Sequence, residues 1–225
     1  MKNFIYILLI APLFFISSCE EEEETQSGYD CISNTCTAVF ESPQYLTLSD
    51  CQSACADNNG GNSNLEIGAI YQGGLVFYVD ETGEHGLVAA MEDLEGSYEW
   101  GCDGVEVNGA DGIIIGSGYQ NTMDIVNQGC STENGGITAA QAALDIEING
   151  YSDWYLPSKG ELNEMYNTIG KGGQEGNVGV FTGNWYWSSS ESGDNLAWIV
   201  HFDNGAKYFG GSKSSSRKVR VIRAF

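Results

Sequence analysis

Four cysteines near the start of the chain have a spacing that can either hold a metal ion or form disulfides. Cys31, Cys36, Cys51 and Cys55 follow the pattern C-x4-C-x14-C-x3-C. Paired cysteines at short spacing can make a tetrahedral zinc site, whereas cysteines of exported proteins tend to be oxidised. We expect disulfides, because the segment 29–56 is too short to bury a core of its own. The spacing permits three connectivities, and we favour Cys31 with Cys55 and Cys36 with Cys51.

Residue types that could catalyse a reaction are present, but their spacing does not suggest an active site. His85 and His201 fall in a predicted turn and a predicted strand, and neither has a cysteine or carboxylate at the spacing of a catalytic pair. The serines of WSSSES, residues 187–192, lack a nucleophile-elbow context. Asp203 and Asn204 offer oxygen ligands but not a complete calcium set, and they are better explained as a turn. We therefore predict no catalysis, no metal and no cofactor.

The remaining pair of cysteines inside the chain, Cys102 and Cys130, brackets a long glycine-rich stretch. A disulfide between them would close this stretch into a loop, for which the chain-entropy model assigns roughly 3 to 4 kcal/mol of stabilisation. We expect this pair to be structural.

Aromatic residues are the first candidates for ligand binding. Trp185 and Trp187 are two residues apart in an extended segment, so they should share one face of it. Aromatic faces stack on sugar rings, and the indole offers a hydrogen-bond donor. We expect Trp154 and Trp198 in the core.

The charges of the chain are the second candidates, because they are distributed unevenly. All 31 acidic residues lie within residues 20–206, whereas residues 207–225 contain six of the nine cations and no acid. An acidic excess of this size disfavours nucleic acid, since phosphate binding needs lysine and arginine. The cations near the predicted hairpin could form a patch for a sulfated or carboxylated glycan, and pairing with the domain's own carboxylates is the alternative. The candidate patch consists of Lys207, Lys213, Arg217 and Lys218.

The N-terminus indicates export. Lys2 precedes an apolar run over residues 4–16, which is shorter than the roughly 20 residues that span a bilayer. Two serines then lead into Cys19, as in a signal peptide. This junction resembles the lipobox of bacterial lipoproteins, in which the cysteine is lipidated; plain secretion with an ordinary thiol is the alternative. The glutamates of residues 20–24 suit a solvated tether, and they also resemble signals that carry lipoproteins to the outer face of the outer membrane.

The elements that must position these residues fall into five segments. We expect a signal peptide over residues 1–18, a lipidated acidic tether over 19–28, a small cysteine-rich module over 29–56, a flexible linker over 57–64 and one domain over 65–225. The small module should be a hairpin followed by a short helix.

Local patterns predict the elements of the large domain. Alternation predicts two strands in GGLVFYVDETGEHGLVAAM, a hairpin in AWIVHFDNGAKYF with Asn204-Gly205 as its turn, and a last strand in RKVRVIRAF. A helix should begin after Thr138 as N-cap, and a second should carry a capping box of Ser158 and Glu161. The second helix has an apolar stripe formed by Leu162, Met165, Tyr166 and Ile169.

Four stretches of the domain resemble the Lcl C-terminal domain family in order and spacing: residues 67–90, 150–166, 184–192 and 197–225. The family looks like a relative of C-type-lectin-like domains, which implies an α+β fold with two helices on small antiparallel sheets. Its namesake is the C-terminal domain of a trimeric collagen-like bacterial adhesin that binds sulfated glycosaminoglycans. This chain has no collagen-like G-X-Y region, so the resemblance implies a fold more directly than an activity.

These observations together predict a lipoprotein of the outer membrane, exposed on the cell surface, whose lectin-like domain binds extracellular ligands. A sulfated or acidic glycan is the ligand class we expect. The alternative is a structural or assembly component of the cell envelope that binds another protein. A cryptic enzyme related to the formylglycine-generating group is less favoured, and the oligomeric state stays open.

Overall fold

The computed structural model describes residues 28–32, 35–39, 47–57 and 65–225. The predicted signal peptide, Cys19, the glutamate tether and most of the linker lie outside these ranges. Within them the architecture is α+β, as predicted, with four helices and three antiparallel sheets. None of these helices has the length and apolar character needed to cross a membrane.

The N-terminal module is a hairpin followed by a helix, as predicted. Its elements are β1 (Gly28–Ile32), β2 (Thr35–Val39) and α1 (Leu48–Asp57). The predicted disulfide between Cys36 and Cys51 joins β2 to α1, with the two Cα atoms 5.9 Å apart. Cys55 is also disulfide-bonded. The side chain of Cys31 is not among those described, so its pairing with Cys55 stays a prediction.

A four-stranded sheet forms one side of the large domain. Its strands are β3 (Ile70–Tyr71), β4 (Gly74–Val79), β5 (Gly86–Ala89) and β9 (Ile222–Ala224), in the order β3-β4-β5-β9. The predicted pair β4 and β5 is confirmed. The predicted C-terminal strand is shorter than expected: only residues 222–224 form a strand, which pairs with β5.

A three-stranded sheet carries the candidate ligand residues. It contains β6 (Trp185–Gly193), β7 (Leu196–His201) and β8 (Lys207–Ser212), in the order β6-β7-β8. The predicted hairpin of β7 and β8 is confirmed, although five residues connect the strands instead of two. Asn204 and Gly205 lie in this connection, where the Asn204 Oδ1 accepts from Ala206 N and Gly205 has a φ of 69°.

The large domain contains one more helix than the two we expected. These helices are α2 (Gly118–Asn127), α3 (Ala139–Asp145) and α4 (Lys159–Thr168). The caps of α3 and α4 are those predicted, including the complete capping box of Ser158 and Glu161. The additional helix, α2, was not predicted from the sequence, because its buried face includes Asn121 and Thr122 where an amphipathic helix would have apolar side chains.

Two apolar clusters fill the domain on either side of the β6-β7-β8 sheet. One cluster contains Trp100, Trp154, Trp187, Val219 and Val221 together with the buried alanines of α3. The other packs α4 against the opposite face of the sheet and contains Leu162, Met165, Ile169, Tyr186, Val200 and Phe202. The predicted stripe of α4 is therefore core, with Tyr166 half-buried at its margin. A sheet held on both faces leaves its outer strand, β8, as the part that can present side chains to a ligand.

Candidate ligand-binding surface

Strand β8 is the outer strand of its sheet, and a β-bulge changes how it presents its side chains. Between the pairs Ala197 with Gly211 and Ile199 with Tyr208, one residue of β7 faces two residues of β8. The two bulged residues are Phe209 and Gly210. In a regular strand, neighbouring side chains point to opposite faces, so either Tyr208 or Phe209 would be buried. Here Tyr208 and Phe209 are both exposed, at 51% and 56%.

Five aromatic side chains form a continuous band around this edge of the sheet. The aromatic band consists of Trp185, Trp198, His201, Tyr208 and Phe209. The rings of Tyr208 and Phe209 lie 5.3 Å apart at its centre. From there, Tyr208 reaches Trp185 at 6.5 Å and Phe209 reaches Trp198 at 6.1 Å. Trp185 in turn lies 4.8 Å from His201.

Two adjacent glycines of β8 let neighbouring side chains pack closely against the strand. A Cβ atom on Gly210 would lie 2.4 Å from the ring of Tyr208, and one on Gly211 would lie 2.8 Å from Trp187 and from Ile199. Contacts this short do not occur between real atoms, so both rings occupy space that any other residue would fill. In the sequence YFGGS, Gly210 therefore leaves room for the exposed ring of Tyr208, and Gly211 leaves room for the buried ring of Trp187.

Cationic groups flank the band without lying at its centre. The Nζ atom of Lys159 is 3.8 Å from the ring centroid of Trp198, which is a cation–π contact. Lys207 begins β8 and is exposed. Lys218 is half-buried; its backbone N–H donates to Trp185 O, and its Nζ donates to Gly96 O at 2.9 Å.

Arg217 is a further cation close to the aromatic band. Its guanidinium lies 5.3 Å from the ring of Trp187, and burial lowers its pKa from the usual range of arginine. A guanidinium titrates so far above neutrality that it stays charged. Of the four predicted patch cations, Lys207, Arg217 and Lys218 thus lie within reach of solvent, and the first is the most exposed.

Lys213, the fourth cation of the predicted patch, is not on the surface. Its side chain has no exposed area, and its ammonium forms an ion pair with the buried carboxylate of Glu191. The same Nζ donates to Val105 O and Asp194 O, both at 2.8 Å, and to Cys102 O at 3.4 Å. The prediction that Lys213 contacts a ligand is therefore wrong, because its ammonium is buried and already bound by four oxygens of the protein.

Two tryptophans also lie where the sequence pattern did not place them. Trp187 is fully buried, and its Nε1 donates to Tyr98 O at 2.8 Å, so it cannot stack on a ligand. Trp198, which we expected in the core, is half-buried beside Phe209. Trp154 lies in the core as predicted.

The other cations of the C-terminal tail pair inside the domain. Arg220 is buried; its Nε donates to Asp93 at 2.8 Å and its Nη1 to three backbone carbonyls. Arg223 forms a bidentate pair with Asp153, at 2.7 and 2.9 Å. The alternative of internal pairing is therefore confirmed for these two arginines and for Lys213.

The serine run of β6 is structural. Ser188 O accepts from the indole of Trp100 at 2.9 Å, and Ser190 Oγ donates to Gly112 O at 2.6 Å. Asn121 of α2 donates to Ser189 Oγ at 3.3 Å. These bonds tie α2 to the sheet, and the disulfide between Cys102 and Cys130 closes the same region, as predicted.

Sequence reasoning missed most of the band, and one signal could have found it. Tyr208 and Phe209 are adjacent large apolar residues followed by two glycines. Adjacent aromatics contradict the alternation of a half-buried strand, and glycine within a strand often marks a bulge. Trp198 and His201 gave no such signal, because their positions depend on strand pairing.

Comparison with known proteins gives a family and shows a distant structural likeness to a fimbrial protein. Residues 102–223, more than half of the chain, match the Lcl C-terminal domain. The crystal structure of a fimbrial protein from Bacteroides ovatus is similar with a TM-score of 0.45 and 16% sequence identity. That match covers 88% of this chain and 48% of the fimbrial chain, so this chain spans about half the length of that protein. No curated protein matches the sequence.

Proposed function

The chain belongs to the Lcl C-terminal domain family, and we propose that its domain binds an extracellular glycan through the aromatic band and catalyses no reaction. The observation that carries the proposal is the side-by-side exposure of Tyr208 and Phe209 on an edge strand. Folded proteins bury most large aromatic side chains, so an exposed contiguous group indicates a contact surface.

The band suits a sugar because it is wide and carries few polar groups. Tyr208 and Phe209 each expose about half of their surface, and the face of an aromatic ring stacks on the apolar face of a pyranose ring. The imidazole of His201 and the indole of Trp185 add hydrogen-bonding groups at one end of the band. Lys159 and Lys207 add positive charge close to it.

The charges favour a sparsely charged glycan over a densely sulfated one. Lys213, Arg220 and Arg223 neutralise carboxylates inside the domain, which removes three of the six cations of the tail from any ligand. The remaining cations can pair with isolated carboxylates. We therefore propose a neutral glycan, or one with occasional carboxylates, as the ligand.

The wider setting of this proposal follows from the sequence. We propose that a lipid on Cys19 anchors the protein, that the glutamates act as a tether and direct it to the outer face of the outer membrane, and that the large domain has a C-type-lectin-like fold. An adhesive or nutrient-capturing surface protein would need this arrangement. The competing proposal is a component of the cell envelope that binds another protein through the same band.

A glycan array tests the proposal with the soluble form of the protein, residues 25–225. We expect binding by the native chain and its loss in the double variant Tyr208→Ala/Phe209→Ala. The matched control is Tyr119→Ala, because Tyr119 is 52% exposed but lies on α2, outside the band. Circular dichroism of all three proteins checks that the fold is intact.

Hits are then titrated from about 50 to 200 mM salt. A stacking interaction should change little over this range, whereas a contact dominated by exposed charges is progressively screened. Glycan binding that survives in the double variant, or that Tyr119→Ala also abolishes, would exclude the band as the site. No binding to any glycan would leave the envelope-protein alternative.

A further inference from the structure

A second concave surface lies where the N-terminal module meets the large domain. This seam groove has a volume of about 580 Å³ and is lined by α1, by residues 90–95 after β5 and by residues 146–149 after α3. The volume falls in the range of about 300 to 1,000 Å³ that is typical of ligand sites. The disulfide between Cys36 and Cys51 fixes α1 on its hairpin, so the wall that α1 contributes is covalently supported.

The walls of the seam groove are apolar. Leu48 from α1 is 41% exposed, which is high for a leucine at the junction of two packed parts. The facing wall contains Met91, Ile146 and Ile148, all half-buried, and the buried Leu94. An aliphatic side chain inserted between these walls would remove apolar surface of both partners from water.

The rim of the seam groove is acidic, and two of its carboxylates are unpaired in the described part of the chain. Glu92 and Glu95 are exposed, and within the described ranges neither carboxylate has a hydrogen bond or an ion pair. Asp93 between them differs, because it accepts from Arg220 Nε and from the hydroxyl of Tyr186, each at 2.8 Å. The lining contains no lysine or arginine.

We propose that the seam groove binds a short segment of a partner protein in which an aliphatic residue lies between two basic residues. The aliphatic side chain enters the apolar groove, and the flanking cations pair with Glu92 and Glu95. Charge complementarity carries this choice of partner: a neutral segment would leave the two rim carboxylates unpaired, and an acidic one would be repelled. The site is separate from the aromatic band and does not depend on the glycan proposal.

Two short peptides with blocked termini and a fluorescent label test the proposal against the soluble protein, residues 25–225. One has the sequence Gly-Lys-Leu-Lys-Gly and the other Gly-Lys-Ser-Lys-Gly. We expect the leucine peptide to bind about tenfold more tightly, because only its side chain fills the apolar groove. Fluorescence anisotropy measures both affinities at the same salt concentration.

Matched variants separate the rim from the general acidity of the chain. The variant Glu92→Gln/Glu95→Gln should weaken the leucine peptide about threefold to tenfold. The control is Glu81→Gln/Glu84→Gln, which removes two exposed glutamates with the same spacing from the turn between β4 and β5. The control should leave the affinity unchanged.

Three results would overturn the proposal. They are an absence of binding by the leucine peptide at millimolar concentration, equal binding of the two peptides, and equal weakening by the two glutamine variants. The last result would mean that the peptide is attracted by the overall negative charge of the protein and not by the groove. The variant Tyr208→Ala/Phe209→Ala should bind the leucine peptide normally. Peptide binding by this variant therefore tests the seam groove separately from the proposal that the aromatic band binds a glycan.

Discussion

The enclosed ammonium of Lys213 offers the sharpest test of how the C-terminal tail stabilises the domain. Replacing Lys213 with methionine keeps most of the side-chain volume but removes the charge. The carboxylate of Glu191, only 5% exposed, then keeps the backbone N–H of Val107 at 2.9 Å as its remaining donor. Val105 O loses its donor at the same time, whereas Cys102 O and Asp194 O keep the backbone N–H groups of Val105 and Gly104 as donors.

The expected cost follows from this loss of partners. Removing one member of a buried ion pair typically costs about 3 to 5 kcal/mol, because the other charge is left buried without compensation. This is a large share of the roughly 5 to 15 kcal/mol that stabilises an ordinary domain. With a urea m-value of about 2 kcal/mol/M, the unfolding midpoint of Lys213→Met should fall by about 1.5 to 2.5 M.

Urea unfolding followed by tryptophan fluorescence, with the disulfides intact, measures the effect. Trp100 is a suitable reporter, since its ring lies 4.8 Å from the Lys213 ammonium. The control Lys207→Met removes an exposed lysine and should change the free energy of unfolding by less than about 0.5 kcal/mol. The double variant Lys213→Met/Glu191→Leu should be less destabilised than Lys213→Met alone, because it no longer buries an unpaired carboxylate.

The reasoning fails if the free energy of unfolding of Lys213→Met lies within about 1 kcal/mol of that of the native protein at an unchanged m-value. That outcome would mean that water or a rearranged loop solvates Glu191 once the ammonium is gone. A double variant as unstable as Lys213→Met would locate the cost in the lost bonds from the ammonium to backbone carbonyls and not in the unpaired carboxylate.

Two further predictions concern the tail pairing and the bulge. The Arg223 guanidinium lowers the pKa of Asp153 below its usual 3.8, so the pair stabilises the fold above this value and the contribution disappears as the pH falls through the lowered pKa. Because Asp153 is more than half exposed, Asp153→Asn should cost only about 0.5 to 1 kcal/mol at pH 7, and thermal unfolding should show the difference diminishing at a pH well below 3.8. An undiminished difference at that pH would contradict the pairing. Gly210→Ala should displace the ring of Tyr208 and weaken glycan binding while the unfolding temperature changes little; normal binding would show that the ring position is not required.

Elements with local signals could be predicted from the sequence. Thr138 and Ser158 cap α3 and α4 because a side-chain oxygen accepts from a backbone N–H three residues ahead, a relation contained within a few residues. Strand alternation identified β4, β5, β7 and β8 for the same reason. Helix α2 was missed, since the buried side of this helix uses Asn121 to bond to Gly112 and to the serines of β6, and a polar residue in a buried stripe cannot be recognised before its partners are known.

The positions of the cations could not be predicted, because their partners are far away in sequence. Lys213 pairs with Glu191 of β6 and donates to Cys102 O, which lies more than a hundred residues earlier in the sequence. Arg220 pairs with Asp93, more than a hundred residues earlier. The sequence pattern identified a basic segment correctly, but a basic segment is equally compatible with a surface patch and with a set of internal counterions.

The internal pairing changes what the surface can bind. A basic segment that neutralises buried or half-buried carboxylates leaves the exterior more acidic than the tail suggests, because half of its cations face inward. A densely sulfated chain would have to approach this exterior with only Lys207, Arg217 and Lys218 of the tail to attract it. Affinity must then come mainly from contacts that do not depend on charge, and the exposed rings of Tyr208 and Phe209 are the contacts that β8 provides. Three of the tail cations therefore hold loops against the sheets, and on the glycan-binding proposal the bulged edge strand β8 presents the surface for recognition.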